Sequence, residues 1–192
     1  MGKRFTMLRS FAYLLPAFLI GSAAASQTAQ NAFADDPTGG KVHRASGCVC
    51  PRQIGLFERD AVGERDPDTG ADYCAYSALD GVYGTIVIAP VTGPFDAKAA
   101  LAQDFIEQEG SGARKISEGA AKFGGVTGVY TRTYETTSIE DLHYRVFFAA
   151  RAVGQWAVEA TVEFASPRDD GLEREFLRSI YSEAAGKLAL VR

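Results

Sequence analysis

The chain has 192 residues, 46% of them hydrophobic, and a formal net charge of −4 at pH 7. This length corresponds to one domain, and the hydrophobic content is enough for a core, so a wholly disordered chain is excluded. The acidic balance disfavours nucleic acids and anionic membrane surfaces, because binding to either relies on clustered Lys and Arg. We therefore expect no nucleic-acid partner.

Residues 1–25 have the three parts of a secretory signal peptide. Three basic residues precede an apolar segment, 11–20, and an Ala-rich stretch ends at Ala25. The alternative is a retained membrane anchor, but the apolar segment is shorter than the roughly 20 residues that a span needs. We predict cleavage between Ala25 and Ser26 or one residue earlier, with export to the periplasm or out of the cell. No membrane span is expected after cleavage.

Residues 26–46 are rich in Gln, Ala, Asp, Gly and Thr and show no apolar periodicity. This composition predicts a disordered leader. A single domain is expected to follow over residues 47–192. Because segment 1–25 holds three basic residues and no acidic one, its removal would change the net charge from −4 to −7.

The first half of the domain is predicted to form strands. We expect a strand over 56–62 and, after a turn-rich loop, two more over 73–79 and 82–89. The dipeptide Asp80–Gly81 joins the last two, and it is typical of a hairpin because a type I′ turn needs two positive φ angles. The sequence therefore predicts an antiparallel sheet.

Two main helices are predicted. Asp96 is a good N-cap for a helix over 97–109, and a second helix over 169–185 has an apolar stripe and an acidic first turn. A short strand, 113–118, follows the first helix. The fold class predicted is α+β, a mostly antiparallel twisted sheet of about six strands with the two helices packed on it.

A three-strand meander over 125–135, 142–152 and 155–164 completes the predicted sheet. Its last strand alternates apolar and polar residues, which predicts one buried and one wet face. We expect a three-residue loop before that strand, so that Val146 lies opposite Ala160 and both apolar faces coincide. A two-residue loop would instead place Val146 opposite Thr161.

Between residues 56 and 185 this order of elements resembles the PsbP-like superfamily. The features that carry the resemblance are the Asp80–Gly81 hairpin, the helix after Pro94, the strand pair around a Gly turn, and the closing helix with Phe176 and Ile180. The resemblance implies an antiparallel sheet between helices and a non-enzymatic accessory or binding module. It implies no site residues, because none of these features is a catalytic motif.

Three cysteines are the most distinctive candidates for chemistry. Cys48 and Cys50 form a C-x-C before the first strand, and Cys74 lies in the second. In an oxidising compartment we expect one disulfide from Cys74 to either Cys48 or Cys50, with one thiol left over. Either bridge requires segment 46–53 to fold back across the sheet, because bonded cysteines have Cα atoms within about 7 Å.

A thiol-based site is the alternative. Thiolates bind Cu(I) or Zn(II), so Cys48, Cys50 and Cys74 could hold such an ion with His43 as a nitrogen ligand. The spacing lacks the paired motifs of strong zinc sites. A Cys48–Cys50 redox pair is also conceivable, although a bridge across one residue is strained.

Two other patterns are weaker indications of a functional site. Asp66, Asp68, Gly70 and Asp72 stand at alternate positions, loosely as at the start of a calcium loop, but Ser77 occupies the place of the bidentate Glu. Glu159 and Glu163 could form an acid/base pair, although an ion-pair face with Arg145 and Arg151 is the favoured interpretation. We find no nucleophile–base set.

The function predicted from the sequence is that of an exported, non-catalytic binding or accessory protein of the cell envelope. We expect no enzymatic activity, no catalytic residues and no cofactor. The expected partner is an envelope protein or a small apolar ligand. The alternative function is that of a thiol-based metal or redox protein that uses Cys48, Cys50 and Cys74.

Overall fold

The computed structural model describes residues 32–79, 81–137, 143–166 and 171–184. The predicted signal peptide, 1–25, and its cleavage point lie outside these ranges, as do residues 26–31 of the predicted leader. No helix in the described ranges is long and apolar enough to cross a membrane.

A small antiparallel sheet begins the described chain. Its three strands, in the order β1-β2-β3, are Phe33–Asp35 (β1), Lys41–His43 (β2) and Val49–Cys50 (β3). Residues 32–46 therefore differ from the disordered leader expected for 26–46. Phe33 and His43 are both buried, so contacts with the rest of the protein order a segment whose composition gives no sign of structure.

The main sheet has eight antiparallel strands in the order β4-β5-β6-β7-β11-β10-β9-β8. The hairpin dipeptide before β7 holds Gly81 at φ +72°, as its turn chemistry requires. The strands are Gln53–Ile54 (β4), Phe57–Asp66 (β5), Ala71–Ala78 (β6), Val82–Pro90 (β7), Arg114–Phe123 (β8), Val126–Thr137 (β9), His143–Val153 (β10) and Trp156–Ser166 (β11).

The described ranges contain three short α-helices, Ala97–Ala100 (α1), Ala102–Gly110 (α2) and Gly171–Ser179 (α3). Asp96 caps α1 as expected, by accepting the N–H groups of Lys98 and Ala99. The helix expected over 97–109 is interrupted at Leu101, whose ψ of 9° departs from helical geometry. The π-helical turn Ile180–Ala184 continues α3.

The predicted α+β class, with two main helices on about six strands, is wrong. Strands make up 57% of the described residues, so the fold they form is mostly β. The difference arises because β5 and β8 extend well beyond the predicted 56–62 and 113–118, and because β1 to β4 have only two or three residues each. Strands that short show no alternation of apolar and polar residues.

The register of the β10–β11 hairpin also differs from the expected one. Val146 pairs with Glu163, not with Ala160. The loop has two residues, Gly154 and Gln155, and lies one position later than a two-residue loop between the predicted strands 142–152 and 155–164, because β10 ends at Val153 and β11 begins at Trp156. The expectation assumed one wet face, but both faces of these strands are covered. Alternate residues of one strand therefore enter two different cores.

The two cores lie on opposite faces of the main sheet. The larger core contains Phe176 and Leu177 of α3 together with the small sheet, and it includes Val158, Ala160 and Val162 of β11. The smaller core packs α2 on the other face of the sheet. Its buried residues are Leu101, Phe105, Tyr134, Val146, Phe148 and Ala150.

Candidate ligand-binding cleft

The cysteines lie together in the larger core. Cys50 at the end of β3 is bonded to Cys74 on β6, with their Cα atoms 6.4 Å apart. Of the two pairings left open by the sequence, the structure therefore shows Cys50–Cys74. Segment 46–53 folds back across the sheet, as this bond requires.

Cys48 is a free thiol that is fully buried. Burial raises its pKa to about 12, because an apolar environment disfavours the charged thiolate. Within the described ranges, no group of three or more His, Cys, Asp and Glu side chains could hold a metal ion. The predicted ligand set of His43 with three cysteines is therefore not assembled, since Cys50 and Cys74 are bonded to each other.

His43 takes part in a buried polar chain that the sequence does not reveal. Its Nε2 lies 2.9 Å from Asp72 Oδ2 on β6, and its Nδ1 lies 2.6 Å from Ser46 Oγ. The Cys48 N–H donates to Ser46 Oγ at 3.0 Å, and Trp156 packs edge-on against the imidazole at 5.2 Å. His43 is 2% and Ser46 6% exposed. These hydrogen bonds therefore connect the small sheet to the main sheet, in a place that solvent barely reaches.

The carboxylates of Asp66 and Asp72, which belong to the calcium-like sequence, have different partners and do not meet at one site. Asp66 Oδ1 accepts the backbone N–H of Asp68 within the turn. Asp72 is instead directed to His43. The residues thus shape a turn and hold a buried histidine.

The expected ion-pair face of Glu159 and Glu163 with Arg145 and Arg151 is wrong. The glutamates pair across the sheet with Ala150 and Val146, and the arginines pair with Phe164 and Val158. Directly paired residues share a face, so the two glutamates lie on the α2 side and the two arginines on the α3 side. Arg145 Nε instead contacts Glu135 Oε1 at 3.3 Å.

A cleft of about 710 Å³ lies between α3 and the β8–β9–β10 end of the main sheet. We call it the basic cleft, because four of its lining residues are basic. These are Lys122, Arg145, Arg174 and Arg178. Glu173 is the acidic residue among the described residues that line it.

The floor of the basic cleft is apolar with a row of hydroxyl groups. Phe147, Ile116 and Ala121 of the sheet form the floor, and Leu177 of α3 lines the cleft from the helix side. Ser117 Oγ donates to Thr133 Oγ1 at 2.9 Å, and Thr131 Oγ1 donates to the Gly119 carbonyl at 3.2 Å. The hydroxyl groups of Ser117 and Thr131 thus already donate within the protein, and the apolar surface and the basic side chains are available to meet a ligand.

Packing of α3 positions two of the basic side chains. Phe176 and Leu177 are fully buried and anchor the helix on the sheet. Arg174 and Arg178 are four residues apart, so both project from the same side of α3. At the other end Gly124, with φ +60°, admits Ser182, which would lie 2.6 Å from a side chain at that position.

The sequence does not show this site because its lining comes from four separate elements. In the sequence, Arg174 and Arg178 of α3 look like part of a solvent-exposed helix face. Thr131 and Thr133 of β9 look like ordinary strand residues. Only the position of α3 over the sheet brings them together. Alternating Thr131 and Thr133 and two arginines in one helix would be a weak signal at best.

No protein-family model matches the chain, and the comparisons with curated proteins and with solved structures found no match. The lining residues of the basic cleft are therefore the only indication of its chemistry. Its volume is in the range of small-molecule sites, and such sites are mostly apolar with a few polar groups that fix orientation.

Proposed function

We propose that this protein binds a small anionic amphiphile, such as a carboxylate or sulfonate with an apolar body, in the basic cleft. The observation that carries the proposal is a cleft of about 710 Å³ with an apolar floor, whose described lining holds Lys122, Arg174 and Arg178 against Glu173, besides Arg145, which is paired with Glu135. This positive excess runs against the net charge of −4 of the whole chain. It is thus a local feature of the cleft.

The two parts of such a ligand would contribute differently. Each methylene buried on the floor contributes about 0.8 kcal/mol. An exposed ion pair contributes roughly 0.2–1 kcal/mol. Apolar contact would therefore supply most of the affinity, and the arginines would select the sign of the charge.

The protein is proposed to act without catalysis, after export, in the cell envelope or outside the cell. Arg and Lys side chains bind and orient anions but stay protonated at neutral pH, so the lining favours binding over acid–base chemistry. Export is supported by the signal-peptide pattern of residues 1–25. The Cys50–Cys74 disulfide is compatible with an oxidising compartment.

Fluorescent probes of different charge test this function. We expect the anionic probe 8-anilinonaphthalene-1-sulfonate to bind the wild-type protein, and the double variant Arg174→Ala/Arg178→Ala to bind it about tenfold more weakly. The neutral probe N-phenyl-1-naphthylamine should change by less than about twofold, because the floor is unchanged.

The double variant Arg44→Ala/Arg52→Ala is the matched control, since it removes the same charge from exposed positions of the small-sheet region. It should leave the affinity for the anionic probe within about twofold. An equal loss for both double variants would refute selection by the cleft. So would a wild-type protein that binds neither probe.

A further inference from the structure

The other face of the main sheet carries a second cavity, which is independent of the basic cleft. It has a volume of about 490 Å³ and lies between the sheet and the segment that leads from β7 into α1. Val87, Ala89 and Ala157 form an apolar part of its lining, and Glu159 lies among them. We call it the Glu159 cleft.

Glu159 lines this cavity from the main sheet. It is the fourth residue of β11, paired with Val87 on one side and Ala150 on the other. Its side chain is largely buried, and burial raises its pKa to about 7. No described residue donates a hydrogen bond to this carboxylate, which lines the cleft and is open to a ligand.

The charged groups that face Glu159 do not neutralise it. Arg65 at the end of β5 is the cation that lowers its pKa, and Asp104 on α2 raises it. Arg65 Nη2 lies 3.5 Å from Asp104 Oδ1, so this guanidinium group is paired with Asp104. The remaining acids of the lining are Asp66 and Asp96, and both already accept backbone N–H groups.

We propose that the Glu159 cleft binds a small organic cation, whose ammonium group donates to the Glu159 carboxylate while its apolar body lies on Val87, Ala89 and Ala157. Such a cation donates a hydrogen bond to Glu159 and balances the excess of acidic groups in the lining. A neutral molecule of the same shape does not balance this charge. A partly desolvated pair of this kind is stronger than the exposed pairs of the basic cleft.

Binding of the cation depends on the protonation of Glu159. The ionised carboxylate binds the cation, and the protonated acid does not. With a pKa of about 7, the ionised fraction is about 30-fold lower at pH 5.5 than at pH 8. Affinity should therefore fall about 30-fold as the pH is lowered across this interval.

Calorimetry with benzylamine tests the proposal, with benzyl alcohol as the neutral isostere. At pH 8 the wild-type protein should bind benzylamine saturably and at least tenfold more tightly than benzyl alcohol. Glu159→Gln should abolish this preference. Glu163→Gln is the matched control, since Glu163 lies exposed on the same face of the same strand, and it should bind like wild type.

The pH dependence of the wild-type protein is a second readout that needs no variant. Benzylamine bound equally by Glu159→Gln, bound equally at pH 5.5 and pH 8, or not bound at all would overturn the proposal. The Arg174→Ala/Arg178→Ala variant should keep its affinity for benzylamine. The two proposed binding sites can therefore be confirmed or refuted separately.

Discussion

Burial decides what the individual polar side chains of this protein can do. The Cys48 thiol is enclosed in the larger core beside the Cys50–Cys74 bond, and its pKa is raised to about 12. A thiolate, not a thiol, is the nucleophile and metal ligand. Cys48 is therefore a packing residue in the folded protein.

Cys48 is expected to resist Ellman's reagent in the native protein. At pH 8 a pKa of about 12, against 9.0 for an ordinary thiol, lowers the thiolate fraction about 1000-fold, and burial blocks access as well. One thiol per chain should react after unfolding in guanidinium chloride without reductant. Native labelling at the rate of an exposed thiol would contradict this account.

The variant Cys48→Ser is the control for that measurement. It should show no reactive thiol before or after unfolding, because the other two cysteines are bonded. A thiol that persists in this variant would mean that Cys50 and Cys74 are not paired.

Among the elements, α3 depends on one glycine of the sheet. Phe176 lies against Phe57 and Tyr76, with ring centroids 4.7 and 5.5 Å away. Its ring also covers Gly84 so closely that a Cβ there would lie 2.5 Å from Phe176 Cζ. The close packing of α3 on the sheet therefore depends on Gly84 having no side chain. Because α3 forms one wall of the basic cleft, the cleft depends on Gly84 as well.

Gly84→Ala should destabilise the protein by roughly 1–3 kcal/mol, because the added methyl group would clash with the ring of Phe176. Urea unfolding measures this difference. Gly119→Ala is the matched control on β8, where an added Cβ meets nothing within 4 Å, and we expect it to change stability by less than about 0.5 kcal/mol. Equal stabilities for Gly84→Ala and Gly119→Ala would show that Phe176 of α3 does not pack on Gly84 as described.

The same elements show what could be read from the sequence. The long strands β9, β10 and β11 and the Gly81 turn were predictable, because alternation and turn chemistry are local signals. The register of β10 and β11 was not, since it depends on helices covering both faces. Nor was the small sheet, which is held by contacts between distant residues such as His43 and Asp72.

The candidate site was less predictable than the fold. The sequence limited the disulfide to two pairings but could not choose between them. The basic cleft draws on β8, β9, β10 and α3, so no contiguous motif announces it. The resemblance to the PsbP-like superfamily and the signal peptide stay predictions.

At the scale of the whole molecule, one sheet separates two clefts of opposite character. The α3 face carries the basic cleft, and the α2 face carries the Glu159 cleft. Each helix covers only part of its face, so apolar sheet surface is left beside charged side chains in both places. An anion and a cation can therefore be bound at separate sites.

The most direct test of the central claim is an amide-resolved NMR titration of the full protein with decanoate. We expect saturable shift changes at Thr131, Thr133 and Phe147 and along α3, with the amides around Glu159 unchanged. Decanol should produce weaker changes at the same positions. Saturable changes only outside the basic cleft, or none at all, would contradict the claim that this cleft binds an anionic amphiphile.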